Sequence, residues 1–128
     1  MAIDASVAVK WFRAEGGSDR AFALLESAAA GDVILAVPTH CMHEVLSVVR
    51  RDFGPSEIPG AWERMGMARL EVIPLTDAVV REAAVQCERL NCTFYDSLAP
   101  AVAALLGATL VSADAKAHSG YPGVELIG

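Results

Sequence analysis

The sequence lacks the features that define several large classes of protein. Its longest uninterrupted apolar stretch, residues 98–106, is far shorter than the ~20 residues that a membrane-spanning helix needs. The three cysteines, Cys41, Cys87 and Cys92, are odd in number and show no CxxC spacing, which favours reduced thiols over a disulfide framework. Residues 1–4 read Met-Ala-Ile-Asp and have no secretory-leader character. We therefore expect a cytoplasmic protein that makes no membrane contact.

Positive charge is also scarce. The chain has 10 Lys and Arg against 16 Asp and Glu, a net charge of −6, which argues against a passive nucleic-acid binder with a broad basic surface. A nuclease remains compatible with this charge, because four carboxylates gathered at one site would account for most of the excess. The only adjacent basic pair is Arg50-Arg51, for which a solvated helix end is the simplest interpretation.

The remaining composition favours one folded domain. The 128 residues are 54% hydrophobic and only 6% aromatic, with Ala, Val and Leu supplying most of the apolar side chains. Predicted strands alternate with predicted helices, which is typical of a parallel sheet covered by helices on both faces. We therefore predict a single α/β domain over residues 1–128. The predicted strands are 1–4, 33–36, 71–74, 109–112 and 123–127, and the helices are about 5–12, 18–30, 38–53, 56–70, 76–90 and 93–106.

Two aspartates stand where predicted strands end. Asp4 follows the first strand, and Asp114 follows the strand at residues 109–112. Because ligands of open α/β sheets bind beyond the carboxyl ends of the strands, a parallel sheet would bring both acids to one edge. Each aspartate also has a simpler interpretation as a helix N-cap, and one carboxylate can cap with one oxygen while the other faces a cleft.

Two further acids lie on predicted helices. Glu44 falls between the apolar and polar sides of its helix, so it either faces a cleft or is an ordinary surface residue. Asp96 precedes a helix that is apolar nearly all round, and such a partly desolvated acid needs a cap, a cation or a hydrogen-bond partner. Pro100 would kink a helix that begins near Thr93, so we expect a later start, at Asp96 or Ser97, or a local kink.

The donor types point to a hard cation. Four carboxylates suit Mg²⁺ or Mn²⁺ rather than zinc, which prefers His and Cys. His40, Cys41 and His43 match no usual zinc-finger spacing. His118 has no partner that the sequence identifies, and we expect it to be exposed.

Four sequence elements together resemble the PIN-domain family, and specifically its VapC-type toxins from VapBC toxin–antitoxin pairs. In chain order they are Ile3-Asp4-Ala5-Ser6-Val7-Ala8-Val9-Lys10-Trp11-Phe12, His43-Glu44-Val45-Leu46 followed by Arg50-Arg51, Tyr95-Asp96-Ser97-Leu98-Ala99, and Leu110-Val111-Ser112-Ala113-Asp114. Each element alone is weakly specific, whereas the four in this order span nearly the whole chain.

The resemblance implies a PIN-like nuclease domain with an acidic, metal-binding catalytic quartet. The matching positions are Asp4, Glu44, Asp96 and Asp114, which would hold Mg²⁺ or Mn²⁺. The hydroxyls of Ser6 and Ser112 would stand beside them as supporting or substrate contacts.

The resemblance also implies an endoribonuclease, the toxin of a pair, that cleaves RNA, is restrained by a cognate VapB-type antitoxin and forms a homodimer. The chain departs from the family pattern in two places. Pro100 stands where a bulky residue is expected, and only three residues precede Asp4.

Two other functions fit part of the pattern. A receiver-like domain or a haloacid-dehalogenase-type phosphatase also places Asp after a parallel strand. A receiver domain, however, requires a pair of acids after the first strand, and such a phosphatase requires a second Asp at the position of Ser6. A non-catalytic PIN domain that acts only as a binding module is the other alternative, although the presence of all four acids disfavours it.

Overall fold

The computed structural model describes residues 1–128 and contains one five-stranded sheet. Its strands are β1 (Ala2–Ile3), β2 (Ala36–Pro38), β3 (Glu71–Ile73), β4 (Leu110–Ser112) and β5 (Glu125–Leu126). All neighbouring strands are parallel, in the order β3-β2-β1-β4-β5. The strand order therefore reverses at β1, which lies in the centre of the sheet. The predicted single α/β domain with a parallel sheet is confirmed.

Seven helices connect the strands. They are α1 (Ala5–Ala8), α2 (Ser18–Ala29), α3 (Thr39–Phe53), α4 (Ile58–Met67), α5 (Asp77–Leu90), α6 (Phe94–Leu106) and α7 (Ala115–His118). Short 3₁₀ turns follow α1 at Val9–Trp11 and precede α4 at Pro55–Glu57. No helix combines the length and the apolar character that crossing a membrane requires.

The central strands bury both faces. Successive side chains of a strand point to opposite sides of the sheet, and here Ile3, Val37 and Val111 enter one core while Ala2, Ala36 and Leu110 enter another. The first core also contains side chains from α1, α2, α3 and α4, and the second contains α6. Helices on both faces are thus explained by central strands that direct apolar side chains to both sides of the sheet.

The α6 face is packed through small side chains. Ala99 and Ala103 touch the sheet core, while Ala101 and Leu98 join Val79 and Ala83 of α5 in a third cluster. Alanine side chains cover the backbone of α6 with only a methyl group. The sheet on one side and α5 on the other can therefore both pack close to the α6 backbone. This close packing fixes α6, and with it Asp96, against the carboxyl ends of β1 and β4.

Two predicted boundaries were wrong near the second strand. The apolar run at residues 33–36 was expected to be the strand, but β2 covers Ala36–Pro38, and Ile34 is 65% exposed. The pairing of β2 with β1 begins at Ala36, whose N–H donates to the carbonyl of Met1 at 2.8 Å. Pro38, which was expected to open the next helix, is the last residue of β2 and also the N-cap of α3.

The helix predicted at about 93–106 is present as α6. Of the two ways to accommodate Pro100, the later start at Asp96 or Ser97 is wrong, because Thr93 caps the helix and its Oγ1 accepts from the N–H of Asp96 at 3.1 Å. Pro100 consequently lies inside α6. Gly107, with φ of 61°, ends the helix in a left-handed conformation that glycine adopts readily. Thr76 caps α5 in the same way, through the N–H of Val79 at 3.2 Å.

Candidate active site

Asp4 is held by side chains from three parts of the chain. Because β1 and β4 are parallel with Ile3 opposite Val111, Asp4 comes to lie beside Ser112. Ser112 Oγ is 3.0 Å from Asp4 Oδ2, and Ser6 Oγ donates to Asp4 Oδ1. Asp4 is only 9% exposed and makes no side-chain cap bond to α1. The capping interpretation of Asp4 is therefore wrong, and its carboxylate is fixed by hydroxyl groups.

Asp114 combines both interpretations that the sequence left open. Its Oδ1 accepts from the N–H of Ala117 at 3.1 Å and so caps α7. Its own N–H donates to Ser112 Oγ at 3.0 Å. The residue also lines the cavity that Asp4 faces. One carboxylate oxygen of Asp114 thus caps α7, and the other oxygen is available to the candidate site.

Glu44 and Asp96 stand across the cavity with few partners. The Glu44 side chain is 52% exposed, and its one close contact is His40 Nε2 at 3.3 Å. The Asp96 side chain lies on the first turn of α6, where the positive end of the helix dipole stabilises an acid. Burial, followed by the charges of Asp4 and Asp96, raises the pKa of Glu44 above its ordinary value. Negative charge is therefore concentrated around Glu44, which has no Lys or Arg partner.

The structure brings all four predicted acids to one small cavity. Asp4, Glu44, Asp96 and Asp114 line a space of about 80 Å³, together with Ser6. No three of the chain's His, Cys, Asp or Glu side chains converge closely enough to hold a metal ion as they stand. The donor set of carboxylate oxygens nevertheless fits Mg²⁺ or Mn²⁺. The concentrated charge at Glu44 is what such a cation would offset, and Glu44 would have to turn from His40 to reach it.

His118 was predicted to be exposed, and that prediction is wrong. It is 1% exposed, with Nδ1 at 2.7 Å from Ser112 Oγ and 3.1 Å from Asp4 Oδ2. Its Nε2 lies 2.7 Å from the carbonyl oxygen of Asp96. Burial lowers the pKa of His118, but the contacts with Asp4 and the Asp96 carbonyl outweigh burial, so the pKa is raised above 6.5. The only sequence signal was its position four residues after Asp114.

His40 and Cys41 also line the cavity. Burial, opposed by the charges of Asp4 and Asp96, lowers the pKa of His40, so at neutral pH its imidazole is mainly neutral and its 3.3 Å approach to Glu44 is not a strong ion pair. Burial, then the charges of Asp4 and Glu44, raises the pKa of the Cys41 thiol. A thiol kept protonated in the core is a poor zinc ligand.

Two wider clefts flank the acidic cavity. On one side a space of about 630 Å³ is lined by His40, His43, Glu44 and Tyr95. The Tyr95 ring is 65% exposed, and its centroid is 5.4 Å from that of His40. On the other side a space of about 420 Å³ is lined by Ser6, Glu44, Lys10, Arg13 and Arg51. Glu44 borders all three spaces, so they lie next to one another, and we refer to them together as the groove.

The arginines of the basic side belong to a surface ion-pair network. Arg13 pairs with Glu15 at 3.3 Å and with Asp52 at 3.5 Å, and Arg51 pairs with Asp52 at 3.0 Å. Such exposed pairs are worth little energy and exchange partners readily. The groove therefore has an aromatic end, an acidic centre and a basic end.

The chain belongs to the PIN domain family, whose family model matches residues 1–120. The match includes all four acids of the cavity and the two serines that contact Asp4, Ser6 and Ser112. A comparison with curated proteins gave no significant match.

Several solved structures have the same fold. A toxin-antitoxin complex from Klebsiella pneumoniae is 18% identical, with 96% of this chain and 93% of that chain covered and a TM-score of 0.73. VapC20 from Mycobacterium tuberculosis, described as a Sarcin-Ricin loop cleaving toxin, is 16% identical, with 96% and 97% covered and a TM-score of 0.70. VapBC2 from Rickettsia felis, solved with a promoter DNA fragment, is 18% identical, with 98% and 95% covered and a TM-score of 0.73. At these identities the likeness establishes the fold.

Proposed function

We propose that the protein is a metal-dependent endoribonuclease that hydrolyses RNA phosphodiester bonds and acts as the toxin of a toxin–antitoxin pair. The observation that carries this proposal is the meeting of four acids from distant parts of the chain around one cavity. Membership of the PIN domain family and the likeness to an RNA-cleaving toxin support the same reaction.

In this proposal Asp4, Glu44, Asp96 and Asp114 hold Mg²⁺ or Mn²⁺. When bound, such a cation polarises a phosphoryl oxygen and lowers the pKa of a coordinated water. Ser6 and Ser112 orient Asp4, because their hydroxyls contact its two oxygens separately. A bound cation would offset the charges of Asp4 and Asp96, which contribute to the raised pKa of Glu44.

The groove suits a single strand of RNA that crosses the acidic centre. Tyr95 and His40 offer an aromatic surface on which a base can stack. Arg13 and Arg51, at the other end, can leave their partner Asp52 to contact backbone phosphates. These contacts would supply the local attraction that a chain of net charge −6 otherwise lacks.

The proposed partner is a cognate VapB-type antitoxin, and we further propose that the chain forms a homodimer in the cytoplasm. Similar structures from Klebsiella pneumoniae and Rickettsia felis are of toxin–antitoxin complexes. Apolar side chains left exposed beside a small cavity of about 160 Å³ between α3 and α4 give an antitoxin a surface to bury. Phe53, 51% exposed, lines this cavity, and Trp62 of α4, 55% exposed, is a further exposed apolar side chain.

A nuclease assay with purified protein tests the proposal. Wild type should cut single-stranded RNA with Mg²⁺ or Mn²⁺ and fail with EDTA. Asp96→Asn should abolish cleavage while circular dichroism shows an intact fold. The matched control is Asp77→Asn, because Asp77 is an exposed acid on the first turn of α5 and pairs only with Arg81. Cleavage by Asp96→Asn at the wild-type rate would contradict the assigned role.

The absence of three convergent metal ligands gives one alternative some support, namely a PIN domain that binds RNA without cutting it. The same assay separates the two functions. A binding module would retain RNA in a gel-shift experiment with or without metal and leave it intact. Hydrolysis of a phosphomonoester in place of RNA would instead favour a phosphatase.

A further inference from the structure

Pro100 leaves a gap in the hydrogen-bond ladder of α6. In an α-helix the carbonyl of residue 96 would accept from the N–H of residue 100, but proline has no N–H. The carbonyl of Asp96 instead lies 2.7 Å from His118 Nε2. A carbonyl oxygen only accepts, so the hydrogen of the ring must be on Nε2. The backbone of a site residue is thereby joined to a histidine from the end of α7, 22 residues away.

The same contact sets the direction of the other ring nitrogen. His118 Nδ1 lies 2.7 Å from Ser112 Oγ and 3.1 Å from Asp4 Oδ2. The ring is 1% exposed, so water does not compete for either nitrogen. Both nitrogens are therefore used on groups of the acidic site. A histidine that merely filled the core would not need polar partners from β1, β4 and α6 together.

We propose that His118 is a positioning residue that joins the two sides of the acidic site, and that Pro100 makes this possible by freeing the Asp96 carbonyl. The ring spans from the backbone that carries Asp96 to the carboxylate of Asp4, so it fixes the separation of two acids that approach from opposite sides. The proposal rests on the proposed function, because it assigns His118 a role toward the cation that those acids would share.

Pro100→Ala is the most informative variant. It restores an N–H that competes with His118 for the Asp96 carbonyl while leaving every acid and His118 in place. Alanine also suits a helix interior better than proline. We expect the variant to melt at the same or a higher temperature than wild type, yet to bind Mn²⁺ 10–100-fold more weakly, about the effect of losing a group that orients a metal ligand. Stability and metal affinity would thus move in opposite directions, which a purely structural proline would not produce.

Two substitutions of His118 separate its two contacts. In His118→Gln the amide nitrogen can take the place of Nε2, and in His118→Asn the amide can take the place of Nδ1. If the ring acts by spanning the site, each variant should lose Mn²⁺ affinity, and His118→Leu should lose more than either. Partial rescue by the amides distinguishes positioning from simple filling of space.

Titration calorimetry with Mn²⁺ alone, together with cleavage of single-stranded RNA, measures the outcome. Pro59→Ala is the control, because Pro59 is an exposed proline in the first turn of α4, away from the acidic cavity. Pro100→Ala and His118→Gln with wild-type Mn²⁺ affinity and wild-type cleavage would overturn the positioning role alone. Wild type that binds Mn²⁺ without cutting RNA would overturn the proposed function alone. Wild type that neither binds Mn²⁺ nor cuts RNA would overturn both.

Discussion

The acidic site has two unlike halves. In the held half, Asp4 and Asp114 are bound by hydroxyls, backbone N–H groups and His118, and Asp4 is nearly buried. In the open half, Glu44 is half-exposed with one neutral partner, and the Asp96 carboxylate has no hydrogen-bond partner from the protein. The held half is prepared before any ligand arrives, because its carboxylate oxygens have fixed directions. The open half can adjust when a cation enters.

The largest effect should come from removing a carboxylate of the held half. Asp4→Asn takes away the acid that the surrounding hydroxyls and His118 have oriented. We expect RNA cleavage to fall by about 10³-fold or more, equivalent to about 4 kcal/mol of transition-state stabilisation. Glu44→Gln, in the open half, should cost less because an adjustable neighbour can compensate in part. Single-turnover cleavage at saturating Mn²⁺ measures both, and equal losses would remove the distinction between the halves.

The second effect concerns the hydroxyl at the centre of the held half. Ser112→Ala removes contacts with Asp4, His118 and the N–H of Asp114 at once. We expect a 10–100-fold loss of cleavage and about 1–3 kcal/mol less stability, because buried polar groups lose a partner. Urea unfolding with and without Mn²⁺ measures the stability change. Ser47→Ala, on the exposed side of α3, provides a comparison, and an equal loss of stability there would argue against a special role.

The third effect tests whether the open half meets the substrate. Tyr95→Leu removes an exposed ring beside the acids, and base stacking is worth about 1–3 kcal/mol per base. We expect KM for single-stranded RNA to rise about tenfold or more while kcat changes little. Tyr95→Phe should behave as wild type because it keeps the ring. A loss that appears in kcat and in both variants would place the phenol group in the chemistry instead.

The smallest effect is on stability as the pH changes without metal. Glu44 and His118 both have raised pKa values in the folded chain, so the stability they contribute is fully present below their unfolded values of 4.5 and 6.5. It is lost as the pH rises through the folded values. His40, whose pKa is lowered, opposes this trend around pH 6.5.

Glu44→Gln isolates the contribution of one group to this trend. Relative to wild type, we expect the variant to become more stable as the pH rises above 4.5. The gain should stay below about 1 kcal/mol, because solvent screens a half-exposed charge. Saturating Mn²⁺ should abolish the difference or reverse it. Urea unfolding at several pH values in EDTA measures the gain, and a variant less stable than wild type throughout would contradict the charge crowding inferred at Glu44.

Much of the site followed from the sequence, because one rule of parallel sheets places residues that end neighbouring strands at one edge. Applying this rule requires only the positions at which strands end. It therefore placed Asp4 and Asp114 at one edge of the sheet, although the apolar run at residues 33–36 had led to a wrong position for the second strand. The apolar surroundings of Asp96 also identified it correctly as partly desolvated. The catalytic roles of the quartet and the supporting roles of Ser6 and Ser112 stay predictions.

What the sequence did not reveal depends on contacts between distant residues. A helix of four residues such as α7 shows no periodicity, so nothing indicated that His118 turns inward. Its partner is a backbone carbonyl that becomes available only through Pro100. The cost of an internal proline also favoured a later start of α6 at Asp96 or Ser97, whereas the Thr93 cap and the close packing against α5 stabilise a helix that contains Pro100.

The pairing of β1 with β4 means that Asp4 meets Ser112 across a sequence separation of 108 residues. A ribosome that has made about the first 100 residues therefore carries a chain whose held half does not yet exist, since domains fold as units once their segments emerge. Under the proposed function, the nascent protein is harmless to the RNA of the ribosome that makes it. The held half can form only after Ser112 has left the ribosome and β4 has paired with β1.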